Sequence, residues 1–228
     1  MVVISLGGSI VVPDEPDSAL IRGYRSVISE YVEGRDARAI LVVGGGAPAR
    51  RYQNAFREAG GDAADADAQD WIGIMATRLN AELMRHALAP YCVDPVVYNP
   101  TGEIAFNGSV LVAAGWKPGF STDYDAVLLA ERYGADTVIN LSNVARVYTA
   151  DPKVDPDARP LDRISWSEFR ELVGDEWTPG KNLPFDPVAT RRAAELRLRV
   201  IAADGKEIEN TRNILNGDDY FGTTIGPE

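Results

Sequence analysis

Two short apolar runs, each ending abruptly in glycines, constrain this 228-residue chain more than any other feature. Val2-Val3-Ile4-Ser5-Leu6 runs into Gly7-Gly8-Ser9, and Ala39-Ile40-Leu41-Val42-Val43 runs into Gly44-Gly45-Gly46. An unbroken apolar run rich in β-branched residues reads as a strand buried on both faces. Glycines directly after it allow a tight turn and bring backbone N–H groups close to a ligand with no Cβ in the way. A helix starting there adds the partial positive charge of its N-terminus, which suits phosphate. One such turn reads equally well as a plain strand-to-helix connection. Two of them favour the ligand.

The rest of the chain keeps the alternation. Leu20, Tyr24, Val27, Ile28, Tyr31 and Val32 fall at helical spacing, with Asp17 or Ser18 as the N-cap and Gly34 as the stop. Tyr52, Phe56 and Ala59 mark one face of a helix after the second glycine turn. Residues 60–67 read as a loop, and Ile72, Met75, Ala76, Leu79 and Leu83 trace a long amphipathic helix from Asp70 to about Leu88. Strands are expected at 95–98, 110–114, 137–141 and 198–203, and a helix over 123–133. Trp166, Phe169 and Leu172 fit either a helix core or a lid. Strands alternating with helices predict an α/β fold, a three-layer αβα sandwich around a mainly parallel sheet. The proline- and aspartate-rich residues 151–160 mark a boundary between lobes within one domain.

Composition removes several functions. There are 34 acidic residues against 23 basic ones, a net charge of −11, which disfavours nucleic acid and anionic membranes as partners. One cysteine, Cys92, and one histidine, His86, leave no disulfide framework and no zinc cluster of the usual kinds. No apolar run approaches ~18–20 residues, and the first residues lack the basic start of a signal peptide. A cytoplasmic location is expected.

No G-x-x-x-x-G-K-[ST] motif occurs, so a Walker-type site is excluded. Residues 44–49 satisfy the relaxed dinucleotide pattern G-x-G-x-x-A, with Asp65 and Asp67 about twenty residues on. That alternative leaves the first glycine turn unexplained. A third loop, residues 115–123, offers Lys117 as a charge and Ser121 and Thr122 as hydroxyls, with Asp123 as a site residue or merely an N-cap. Asn143, Tyr148 and Asp151 follow the next strand. Four loops at the carboxyl edge of one sheet suit a large anionic ligand, or two ligands side by side.

Taken in order, these residues resemble the amino-acid kinase family, and within it the archaeal-type UMP kinases. The resemblance runs nearly end to end. It rests on Leu6-Gly7-Gly8-Ser9-Ile10, Val43-Gly44-Gly45-Gly46, Asp70-Trp71-Ile72-Gly73-Ile74, Thr77-Arg78-Leu79-Asn80-Ala81, Ser121-Thr122-Asp123, Val147-Tyr148-Thr149-Ala150-Asp151-Pro152, Asp186-Pro187 and Gly222-Thr223-Thr224-Ile225. It implies phosphoryl transfer from ATP to UMP with Mg²⁺, in a hexamer built from dimers, with an acceptor half of about 1–140 and a donor half of about 141–228. Gly7, Gly8 and Ser9 would then contact the ATP phosphates, and Gly46 and Arg50 the transferring region. Gly45 would face the UMP phosphate and Asp70 the ribose. Trp116, Lys117, Pro118, Gly119, Phe120, Ser121 and Thr122 would wrap UMP. Asp123 would organise the catalytic groups, Asp123 or Asp186 the water shell of the metal, and Ser142, Asn143, Tyr148 and Asp151 the adenosine half. Asp186 before Pro187 reads equally as a helix start.

The chain departs from the family in three places. Ser5 stands where many members carry a lysine, which the archaeal type also lacks. Trp116-Lys117-Pro118-Gly119-Phe120 replaces the usual Thr-His-Pro-Gly-His, and Ala145-Arg146 the usual Asp-Gly. Lys117 is therefore expected to supply transition-state charge. Another small phosphate or carboxylate acceptor, such as isopentenyl phosphate, and a non-catalytic nucleotide-binding role remain alternatives.

Overall fold

The computed structural model describes residues 1–35, 37–60, 62, 65–150, 154–174 and 184–227. Its frame is one seven-stranded sheet of order β3-β2-β1-β4-β6-β7-β5. The strands are β1 (Val2–Leu6), β2 (Ala39–Val43), β3 (Val110–Ala113), β4 (Thr137–Ser142), β5 (Arg163–Ser165), β6 (Arg199–Asp204) and β7 (Thr223–Gly226). Pairing is parallel except between β6 and β7. The apolar runs enter the middle of the sheet because each is covered on both faces.

Strict alternation divides β1 between two cores. Val2, Ile4 and Leu6 pack with α2 (Ser18–Arg35), α4 (Ala66–Ala87) and α8 (Ile208–Asn216). Val3 faces the opposite layer of α5 (Thr122–Tyr133), α6 (Trp166–Val173) and α7 (Pro187–Glu195). The αβα sandwich is as expected. The same alternation turns Ser5 toward α5, which brings it to the functional end of that helix.

Several local expectations change. Asp17 accepts the N–H groups of Ala19 and Leu20, so it caps α2, and the helix passes through Gly34 to Arg35. The long helix begins at Ala66, four residues before Asp70, because the Asp65 carboxylate accepts the Ala68 N–H. Residues 95–98 form no strand; only Val97 bridges to Ala113, so the apolar pattern there reflects burial against β3. On α3 (Gly46–Glu58) only Ala47 is buried, so Tyr52, Phe56 and Ala59 do not form a core face. Trp166 and Phe169 are buried core residues of α6, which leaves them no part in a lid. No described helix is long and apolar enough to cross a membrane.

Candidate active site

The two glycine turns pack against each other. A Cβ on Gly8 would collide with the backbone of Gly44 and Gly46, and one on Gly44 would lie 2.5 Å from the Gly8 nitrogen. Gly46 also adopts φ +61°, a conformation that residues with a side chain rarely take. The Gly7 N–H bonds to Leu141 O and the Gly44 N–H to Leu6 O, which ties both turns to the ends of central strands. From α4, Asn80 donates its side-chain amide to Gly44 O (2.9 Å) and Gly45 O (3.0 Å).

Beside this floor opens a cavity of about 310 Å³. Gly45, Gly46, Ala49, Arg50 and Gln53 line one side, Asp70, Gly73, Ile74 and Thr77 of α4 another, and Gly115 with Phe120, Ser121 and Thr122 the third. Gly45, Gly46, Arg50, Asp70, Phe120, Ser121 and Thr122 are thus brought together, and Gly119 joins through its N–H to Asp70 Oδ2 (2.8 Å). Arg50 is the cation among the lining residues.

Trp116, Lys117 and Pro118 do not line this cavity. The Lys117 ammonium lies 4.1 Å from the Trp116 ring centroid and 5.0 Å from that of Phe120. Phe120 sits between Trp116 and Tyr124, at centroid distances of 5.2 and 5.0 Å. Lys117 therefore rests on an aromatic stack, of which only Phe120 reaches the cavity wall.

Asp123 is not the cap of α5. Ser121 is, accepting the Tyr124 N–H, and this frees the Asp123 carboxylate. Its Oδ1 accepts from Ser5 Oγ (2.8 Å) and its Oδ2 from the Asp186 N–H (3.3 Å). Burial pushes the Asp123 carboxyl up to about 6, opposed by the Ser5 hydrogen bond and reinforced by the Asp186 charge. Asp186 is the N-cap of α7, accepting the Ala189 N–H, and burial likewise raises its carboxyl. Asp125, 1 % exposed, is pushed up to about 7 by burial.

On the other side of the Gly7 turn, Ser9 stands in α1 (Gly8–Val11). Ser142 ends β4 and accepts the Val144 N–H on its hydroxyl. Asn143 is exposed, and Tyr148 bridges to Pro160. Asp151 lies outside the described residues. Thr77, Gln53, Ala49 and Asn80 went unassigned by sequence reasoning, as did Asp125. Thr77, Arg78 and Asn80 stood in a quoted motif, but nothing in helical periodicity shows which of them face a turn on another strand.

The amino acid kinase family matches residues 1–203, and the chain belongs to that family. Within it, the chain is 37 % identical to the uridylate kinase of Hyperthermus butylicus over 227 residues, 99 % of this chain and 98 % of that one. It is 36 % identical to the uridylate kinase of Methanospirillum hungatei, over 98 % of this chain and 94 % of the relative. Its fold is similar to the crystal structure of uridylate kinase from Archaeoglobus fulgidus, with a TM-score of 0.84, 36 % identity and 99 % coverage of both chains.

Proposed function

We propose that the chain is a UMP kinase, transferring the γ-phosphoryl group of ATP to UMP to give ADP and UDP. The observation that carries this reading is the cavity in which the paired glycine turns, Arg50, Asp70 and the 119–122 segment converge. End-to-end similarity to uridylate kinases supports it.

A UMP phosphate oxygen attacks the γ-phosphorus in line, forming one P–O bond as the bond to the β-γ bridging oxygen breaks, and ADP leaves. Such a reaction needs alignment and charge stabilisation more than covalent help. Gly7, Gly8 and Ser9 would hold the donor phosphates, Gly45 the acceptor phosphate, and Gly46 with Arg50 the group in transit. Asp70 would take the ribose hydroxyls. Ser142, Asn143, Tyr148 and Asp151 would receive the adenosine half, so that half of the donor would lie over residues from about 141 onward and the acceptor over those before. Mg²⁺, bound together with ATP, would neutralise phosphate charge. Asp123 and Asp186, two neighbouring part-buried carboxyls with raised affinity for protons, fit a role in orienting its water shell.

The reading extends to self-association. Trp71, Met75, Leu79 and Leu83 recur every four residues along α4 and are 44, 58, 68 and 38 % exposed. An apolar stripe of this kind is suited to a second copy of the chain. A dimer through this face is the first step of the hexamer, and light scattering measures it. A cytoplasmic location follows from the substrates.

A coupled ADP-release assay with UMP, CMP, dUMP and isopentenyl phosphate tests the function. Turnover highest with UMP is expected. Preference for isopentenyl phosphate, or ATP binding with no turnover on any acceptor, would overturn it.

A further inference from the structure

Trp116, at the root of the acceptor loop, is gripped at both of its backbone polar groups, by an acidic side chain on one and a basic side chain on the other. Its N–H donates to Asp125 Oδ2 of α5 (3.1 Å), and its C=O accepts from Arg78 Nη2 of α4 (3.3 Å). One residue earlier, the Gly115 N–H donates to Thr77 Oγ1 (2.8 Å). The loop root thus joins the two helices that flank the cavity.

Neither charged side chain has another evident purpose. Among the described residues neither forms an ion pair. Asp125 Oδ1 and Arg78 Nε are both buried with no hydrogen-bond partner. Asp125 stands in a row of core residues, beside Ala126, Val127, Leu129 and Ala130. An apolar side chain here would remove the burden of a buried carboxyl, so Asp125 contributes something other than core packing. Arg78 is held by the Tyr98 ring, 4.5 Å from its guanidinium, and by Met75 Sδ at 3.9 Å, with no carboxylate of the described residues paired to it.

We propose that Arg78 and Asp125 act jointly as positioning residues, fixing the 115–120 loop through Trp116 so that Phe120, Ser121 and Thr122 stay on the acceptor wall. The inference rests on the reading of that loop as acceptor-binding. Because the two grips act on one residue, losing either one frees the loop, and losing both adds little.

The test is steady-state kinetics on Arg78→Met, Asp125→Val, Asp125→Asn and the Arg78→Met/Asp125→Val pair. Each of Arg78→Met and Asp125→Val should raise the KM for UMP about tenfold, with kcat falling less than threefold and the KM for ATP within twofold. The double variant should stay within threefold of the worse single. Asp125→Asn, whose amide oxygen still accepts the Trp116 N–H, should stay within threefold of the parent. Asp125→Val should melt at or above the parent temperature, a result that separates loop positioning from general loss of structure. If it does not fold, Arg78→Met with Asp125→Asn carries the test.

An unchanged KM for UMP in the singles overturns the proposal, as do effects that multiply to about a hundredfold in the double or an equal rise in the KM for ATP. If the parent protein turns over no UMP, the functional reading has failed and the proposal is judged separately by hydrogen exchange. Residues 115–122 must then exchange faster in each single variant and no faster in the double. Unchanged exchange overturns it.

Discussion

The floor and the far wall of the cavity are built by opposite means. The floor is backbone packed on backbone: Gly8 against Gly44 and Gly46, with no room for a methyl group. The wall, residues 115–122, is held by side chains reaching in from elsewhere, namely Thr77, Arg78, Asp70 and Asp125. A floor made by steric exclusion fails sharply when altered, since peptide units packed in neighbouring turns cannot yield. A wall held by side-chain hydrogen bonds can lose its position while the molecule stays folded. This division suits phosphate chemistry, in which the phosphoryl groups need one fixed geometry while the acceptor's identity is set by adjustable contacts.

The largest effect should come from the floor. Gly8→Ala is expected to lose about 3 kcal/mol of stability and to reduce activity below detection. Denaturant unfolding together with the ADP-release assay checks both, and a well-folded, active variant would break the contrast. Arg50→Ala should lower kcat/KM about a hundredfold, or ~2.7 kcal/mol, with little change in stability, since Arg50 is exposed beside the cavity.

The wall should respond more softly, and Asp125 adds a pH signature. Its carboxyl titrates near 7 in the fold against 3.8 for the free group, because burial favours the protonated form. The stability it permits is complete below about pH 4 and lost as pH rises through about 7. Asp125→Asn should therefore match the parent near pH 4 and exceed it at pH 8, on the order of 2 kcal/mol. Unfolding curves at the two pH values read this directly, and a gain at pH 4 alone would contradict it. Asp70→Asn, which weakens the hold on Gly119 and the contact with ribose, should raise the KM for UMP about tenfold, or ~1.4 kcal/mol. Lys117→Ala should change kcat/KM by no more than about threefold, or ~0.7 kcal/mol, because its ammonium rests on Trp116. A loss above tenfold would mean that the loop turns Lys117 inward around its substrate.

Legibility followed the range of the interactions. The buried strands, the glycine turns and the α5 helix could be read directly, because five-residue apolar runs, consecutive glycines and helical spacing are local signals. The antiparallel β7 and the three-residue β5 could not, since their pairing is settled by partners far along the chain. Within the site, Gly45, Gly46, Arg50, Asp70 and the 120–122 segment were named from motifs and do converge. Lys117 was assigned from its charge and its place in the 115–123 loop, and neither says which way a loop turns. Nothing local sets Asp125 apart from the other acidic residues of α5, and only the packing of that helix shows it to be buried and bound to Trp116.

The sequence by itself determined the αβα layering, the two glycine turns and the family, because these rest on hydrophobic period and on the absence of a Cβ at particular positions. Tertiary structure decided what those turns touch and which charges serve the site. Gly8 needs its small size because Gly44 and Gly46 lie across from it, and Ser5 matters because strand alternation turns it to Asp123. Such contacts join residues tens to more than a hundred positions apart, and no local pattern encodes them.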